Sequence, residues 1–347
     1  MKSFRRYLAY RIEKALPSTL VFSIIALIIT FSVIPDGIRY ERLENNSTGI
    51  EMLAIILGGL CLLVPMLELS DFKNRRNLDT LFVFPISRFK MALAHYINGL
   101  IQILAVYSLC FFSSWIYLEI KTDYFALGYM LFYYFLSILI GIAIYSIFCF
   151  LFSQGNNVAD GVLFCILWIF VILLVGWEIR VDFLKPYIFD TKYWESSANF
   201  SSDWLIIYSP LNNLTVIFQD LIEVNQHSAH YYNTGAYAAR YMSDAYMFFV
   251  WGALGIASAV GYFLTFIKKG AEKIGEISDS WFGYRVLIPA YGYSLLLMFD
   301  LDMIMTALVF ALMVSGYLIY RRGFKLKASD IVITACGVMV LLLGAML

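Results

Sequence analysis

The chain has 347 residues, of which 61% are hydrophobic, 18% aromatic and only 14% charged, with a mean hydropathy of +0.75 and a formal net charge of +0. A soluble domain is about 45–50% apolar and about 25% charged, so a soluble globular fold is excluded. The zero net charge says nothing about nucleic acid, and no nucleic-acid partner is expected.

Residues 1–16 place Phe4, Tyr7, Leu8, Ile12, Ala15 and Leu16 on one helical face, with Arg5, Arg6 and Lys14 largely elsewhere. That is the pattern of an interfacial amphipathic helix in contact with membrane lipid. Apolar runs follow at roughly 17–34, 50–69, 91–118, 125–152, 161–177, 244–267, 286–299, 303–320 and 329–347. Each reads as a helix crossing about 30 Å of hydrocarbon, where the backbone must satisfy its own hydrogen bonds. The run at 286–299 is short for this. The first run is too long for a signal-peptide core, and Pro35, Asp36 and Gly37 follow it instead of a cleavage site, so it reads as an uncleaved anchor.

Basic residues cluster in four segments. Lys2, Arg5, Arg6, Arg11 and Lys14 precede the first run, and Lys73, Arg75, Arg76, Arg88 and Lys90 follow the second. Lys268, Lys269, Lys273 and Arg285 follow the sixth, and Arg321, Arg322, Lys325 and Lys327 the eighth. With nine spans all four fall on one side, which the bias of Lys and Arg makes cytoplasmic. The N-terminus is then cytoplasmic and the C-terminus external. The segment near Asn156 shares the cytoplasmic side but carries no Lys or Arg.

External connections are short at 35–49 and 119–124 and long at 178–243. In the long one, Ser209-Pro210 opens an expected helix whose apolar stripe is Leu211, Leu214, Ile217, Phe218, Leu221 and Ile222. Trp194, Trp204 and Tyr208 suit an interfacial belt.

Several chemistries are missing. No GxxxxGK[ST] phosphate loop, HExxH or GxSxG occurs, so the chain itself is not expected to be an enzyme or to bind a cofactor. Cys61, Cys110, Cys149, Cys165 and Cys336 lie inside predicted spans without a CxxC partner and read as small core residues. His227 and His230 read as loop-surface residues, and no metal site is expected. His95 lies one turn into the third span. Glu51, Glu68, Asp160, Glu178, Asp300 and Asp302 sit at or near span ends, leaving the interiors nearly free of ionisable groups. That weighs against a secondary carrier or channel, since ion-driven carriers need acidic groups near the midplane. A lipid-modifying membrane enzyme is the other rival, and only Asp300 and Asp302 form a close acidic pair for it.

The segment 70–90 stands apart. Its first half, Ser70 to Asn77, is charged and reads as solvated; Leu78, Leu81, Phe82 and Val83 then form an apolar cluster at helical spacing around Asp79 and Thr80. Pro85 ends that helix by Phe84, and Ser87 is placed to cap the span that follows. The apolar face either lies on lipid headgroups or enters a groove on a second polypeptide.

At these residues the chain resembles a known family. Asn74-Arg75-Arg76-Asn77-Leu78-Asp79, then Phe84-Pro85-Ile86-Ser87-Arg88, then Ala94-His95-Tyr96-Ile97-Asn98-Gly99-Leu100 is similar to the RRSxD…LPISR…AHYxxGL stretch of Gram-positive ABC-2-type permeases. Phe84 stands where Leu is usual. Lys268-Lys269-Gly270-Ala271-Glu272-Lys273-Ile274-Gly275 is similar to their [KR]xSExAG segment, with Ala271 and Ile274 in place of Ser and Ala.

The resemblance implies an all-α integral membrane protein. A six-helix permease core occupies 17–267, with a coupling-helix loop at 70–90 and an external loop at 178–243. A cytoplasmic linker and a three-helix membrane extension occupy 268–347. The chain would be the membrane-spanning permease subunit of an ATP-driven ABC exporter in a bacterial cell membrane, paired with a second permease subunit. Separate ABC ATPase subunits would bind ATP and Mg. Leu78, Asp79 and Phe82, with Arg75 and Arg76, would form the contact to the ATPase. Leu211, Leu214 and Phe218 would form an extracellular gate, although lipid contact alone also accounts for that stretch.

Overall fold

A computed structural model describes residues 2–33, 48–74, 85–121, 127–178, 234–268, 275–278, 280–298 and 303–321, together with the isolated positions 210, 211, 214, 328, 331, 332 and 335. Among the described residues every long element is a helix and none is a strand. The helices are α1 (Lys2–Val33), α2 (Thr48–Ser70), α3 (Arg88–Lys121), α4 (Leu127–Gln154), α5 (Val158–Glu178), α6 (Thr234–Lys268), α7 (Tyr284–Met298) and α8 (Met303–Arg321). A 3-10 turn, Asp71–Lys73, prolongs α2.

Five of these, α1, α2, α3, α4 and α6, are long and apolar enough to cross a membrane, as in a multi-pass membrane protein. Shorter apolar stretches lie in α5 (Val158–Ile172) and α8 (Met305–Arg321). The 15 residues of α7 reach only about 22 Å at 1.5 Å per residue, short of a full hydrocarbon thickness. The expected ninth span, 329–347, lies outside the described residues apart from positions 331, 332 and 335.

Hydroxyls within these apolar helices bond to their own backbone. Ser18 and Thr19 donate to the Ala15 carbonyl, Thr30 to Ala26, Ser114 to Cys110 and Ser137 to Tyr133. No water is available in hydrocarbon, so a polar group finds its partner inside the helix. Cys61, Cys110, Cys149 and Cys165 are buried and form no disulfide.

The chain divides into two compact units. Unit 1 is Met1–Phe72, Arg76–Phe150 and Ser209–Lys269; unit 2 is Lys73–Arg75, Leu151–Tyr208 and Gly270–Leu347. In unit 1, α1 packs along α3 and α2, and α6 packs on α3. The surface helix expected at 1–16 and the first expected span are one continuous helix, α1. Tyr7 and Ala15 are buried in it, while Leu16 is exposed.

Small residues serve close packing inside unit 1. A Cβ on Gly255 would lie 2.7 Å from Ala143 Cα, and one on Gly261 would lie 2.8 Å from the Phe150 ring, so α6 lies directly against α4. Gly255 and Gly261 thus let the α6 backbone approach α4 closely.

In unit 2, α7 packs against α5 and α8. Rings carry the α5 contact: Phe164 meets Tyr284 at 5.0 Å and Phe170 meets Tyr291 at 5.4 Å. The Trp168 indole donates to the Phe282 carbonyl at 2.7 Å. These aromatic contacts group α5 with α7 and α8, whereas a boundary at residue 268 groups it with the earlier spans.

Candidate coupling site

The expected ATPase contact, Arg75, Arg76, Leu78, Asp79 and Phe82, lies outside the described residues. Its flanks are described, and both are anchored. On the far side Ser87 directly precedes α3, and its carbonyl accepts the Met91 amide at 3.0 Å, so the helix begins where Ser87 was expected to cap it.

On the near side the structure departs from a solvated segment. Asp71 Oδ2 accepts from Arg11 Nη1 and from Lys14 Nζ, both at 2.9 Å. Lys73 is buried within unit 2. Its ammonium donates to the carbonyls of Phe152 at 2.5 Å, Gly155 at 2.9 Å and Asn157 at 3.3 Å, and lies 4.0 Å from the centre of the Phe152 ring. These carbonyls belong to the end of α4 and the turn after it, where backbone groups lack intrahelical partners and the helix dipole is negative. Gly155 and Gly161 leave room for the ammonium: a Cβ on Gly161 would lie 2.7 Å from Lys73 Nζ. The turn near Asn156, which has no cation of its own, thus receives one from the segment after α2.

The same turn binds the stretch before α7. Gly275 donates its amide to the Asn156 carbonyl at 3.2 Å, and Ser278 Oγ donates to the Gln154 carbonyl at 2.6 Å. Asp160 accepts the Ser278 amide at 3.3 Å and the Tyr284 hydroxyl at 2.7 Å. Gly275 has φ 87°, a left-handed conformation that glycine adopts without strain.

Unit 1 holds the larger polar site. Glu68, in the last turn of α2, is 5% exposed and accepts at both oxygens. Oε2 takes Arg11 Nη2 at 2.7 Å, with His95 Nδ1 at 3.3 Å. Oε1 takes Asn98 Nδ2 at 2.8 Å and Gln102 Nε2 at 2.7 Å. His95 is fully buried. Its Nδ1 also lies 3.1 Å from the Glu68 carbonyl, and its Nε2 lies 2.9 Å from the Tyr7 hydroxyl. Nδ1 faces only acceptors at these distances, so it carries the proton in the neutral ring, and Tyr7 donates to Nε2.

Local periodicity explains the convergence. His95, Asn98 and Gln102 fall at i, i+3 and i+7 of α3 and share one stripe. Tyr7, Arg11 and Lys14 fall at i, i+4 and i+7 of α1. The stripes meet at the end of α2, tying three helices together beside the segment that leads into residues 75–84. Two polar atoms in the cluster, Arg11 Nε and Asn98 Oδ1, are buried without a partner.

The third motif stretch, Ala94 to Leu100, packs into this site. Ala94, His95 and Asn98 are buried, and a Cβ on Gly99 would strike the Tyr145 hydroxyl. That hydroxyl donates to the Tyr96 carbonyl at 3.2 Å, and the Tyr96 and Ser146 hydroxyls are bonded at 2.7 Å. Sequence reading placed His95 and Glu68 correctly near a span end but missed that they meet. It gave Arg11, Asn98 and Gln102 no part in a polar cluster. The available signal was the polar stripe on α3.

Of the expected gate, Leu214 is fully buried and Leu211 half-buried; a Cβ on Gly58 of α2 would strike the Leu211 side chain. Phe218, His227, His230, Asp300 and Asp302 lie outside the described residues. Among the described residues no three histidine, cysteine or carboxylate side chains converge as metal ligands. In comparisons with known proteins, no family profile, no curated protein and no solved structure matches the chain.

Proposed function

We propose that the chain is the membrane-spanning permease subunit of an ATP-driven exporter of the ABC-2 type, working with separate ATPase subunits and a second permease chain. The observation that carries this reading is the setting of residues 75–84. They leave one fixed helix end and enter another, and the buried Arg11–Glu68–His95–Asn98 cluster ties those ends together. A loop mounted this way can pass a push from a partner directly into three membrane helices, a switching of packed elements. Of the residues that carry the AHYxxGL resemblance, His95 is also part of this cluster. ATP and Mg would be held by the ATPase subunits, and this chain would hydrolyse nothing.

Glu68 weighs against a proton-driven carrier. Both of its oxygens are filled by donors, from Arg11, His95, Asn98 and Gln102, which suits a fixed anion and not a group that takes up and releases a proton. Lys73, Asn156, Gly275 and Ser278 meet in unit 2, which supports putting the segments near 73, 156 and 275 on one membrane side. With the distribution of basic residues, that side is cytoplasmic in a bacterial cell membrane. Reporter fusions at residues 80 and 275 are expected inside, and at residue 220 and the C-terminus outside. An inside C-terminus would remove one crossing from 268–347, for which the short α7 is the first suspect.

The direct test is the Leu78→Ser/Phe82→Ser variant. These residues stand four apart and would enter a groove together. Truncating such anchors costs on the order of 2 kcal/mol, roughly thirty-fold in affinity. The ATPase that co-purifies with the native chain should be lost while membrane insertion stays normal. Full retention of a stoichiometric ATPase by the variant, or none bound to the native chain, overturns the reading.

A further inference from the structure

We propose that Lys73 makes the C-terminal helices part of the coupling device: a displacement of residues 75–84 reaches the start of α7 through Lys73 and the turn between α4 and α5. The displacement itself rests on the proposed docking of an ATPase at that segment, whereas every contact of the link lies within unit 2. Lys73 stands two positions before Arg75, so the start of the segment carries the ammonium with it. Along residues 154–157 the backbone carbonyls serve two stretches of chain in alternation. Gln154 accepts from Ser278 Oγ, Gly155 from Lys73, Asn156 from the Gly275 amide and Asn157 from Lys73. Neighbouring carbonyls belong to consecutive planar peptide units, so tilting those held by Lys73 turns those that hold Gly275 and Ser278.

The turn has no slack. A Cβ on Gly155 would lie 2.5 Å from the Gly161 amide nitrogen and 2.9 Å from Lys73 Nζ. Lys73 is buried, and an ammonium drawn off its carbonyls would be left charged and away from water. The turn therefore follows the lysine. On its other side Asn156 Nδ2 donates to the Ile277 carbonyl at 3.4 Å, which adds to the bonds from Gly275 and Ser278. The stretch from Ser278 then leads directly into α7. The Ser278 amide and the Tyr284 hydroxyl both donate to Asp160, in the first turn of α5, and Trp168 holds the Phe282 carbonyl. The start of α7 thus hangs from the same turn that Lys73 grips. Neutralising the end of α4 would need only a cation near the Phe152 and Gly155 carbonyls. The interleaving with Gly275 and Ser278 is what makes Lys73 a link.

The test is hydrogen exchange read by mass spectrometry on the full chain in nanodiscs. Lys73→Met should speed exchange of the 275–283 amides about tenfold and leave the 91–98 amides of α3 within about twofold of the native chain. Ser278→Ala leaves Lys73 and its three acceptors intact, yet it should raise acetylation of the Lys73 amine about threefold, because coupling between two sites is reciprocal. Lys73→Met/Ser278→Ala should exchange within about twofold of Lys73→Met alone, since residues acting through one turn are not additive. With the co-purified ATPase bound, ATP should change the 275–283 exchange by about threefold. Unchanged exchange in Lys73→Met, or a double variant in which the two effects multiply, overturns the link. Unchanged acetylation in Ser278→Ala overturns it from the other end, and decides alone if Lys73→Met does not fold. A complex in which ATP leaves 275–283 unmoved overturns the role in coupling. A native chain that retains no ATPase sinks the permease reading, and the variants of the chain alone still decide the link.

Discussion

The two units bury charge in different ways. In unit 1, Arg11 is 4% exposed and meets the carboxylates of Glu68 and Asp71, so charge is set against charge. In unit 2, Lys73 is 9% exposed and is held by the carbonyls of Phe152, Gly155 and Asn157, so charge is set against backbone dipoles. The first arrangement needs side chains from three helices to meet. The second needs one lysine, a helix end and two glycines that keep the niche open. Both occur where the chain turns between spans, where unpaired backbone groups collect and a long side chain can reach them.

The contrast is sharpest at Glu68. Glu68→Gln removes the anion and leaves Arg11 buried with Asp71 alone, a loss expected to cost about 3–5 kcal/mol. Thermal unfolding of the purified protein reads this directly. Arg11→Met/Glu68→Leu should recover part of the loss, because no unpaired charge then remains in the site. If the double variant is no better than Glu68→Gln alone, the cluster is not held by charge pairing.

Lys73→Met should have a smaller effect, about 2–3 kcal/mol, because it removes charge-assisted bonds without leaving an ion behind. Lys73→Arg should not rescue it. The planar fork is too wide for a niche in which a Cβ on Gly161 would already touch the ammonium at 2.7 Å. A stable Lys73→Arg protein would show that the niche is looser than this packing implies.

Lys14→Ala should have the smallest effect, under about 1 kcal/mol. Lys14 bonds the same Asp71 oxygen as Arg11, but its side chain is 50% exposed and solvent screens the pair. A loss as large as that from Glu68→Gln would place Lys14 in the buried site with Arg11.

How far the fold could be read beforehand depended on the element. The apolar runs located α1 to α6 and α8, because run length is a direct measure of what can cross hydrocarbon, but α1 and α6 begin 15 and 10 residues before their runs. The same criterion marked the 286–299 run as short, and α7 has 15 residues. Ser87 at the start of α3 and the buried cysteines followed from local chemistry alone. The amphipathic face of residues 1–16 was visible, but its continuation through Pro17 into a single helix was not. A proline inside a helix is compatible with a kink, a break or a straight run, and packing on α2 and α3 decides among them.

What the sequence by itself determined is the helical, membrane-embedded character of the chain and the approximate places where it turns, because both follow from the order of apolar and charged residues. What only the tertiary structure decided is which charges meet. Arg11 and Glu68 are 57 positions apart and Lys73 and Gly155 are 82 apart. No periodicity spans such distances. The pairing is fixed by which helix faces pack together, and with the chain folded a charged residue near a span end is either solvated or, like these, placed against the partner that makes its burial tolerable.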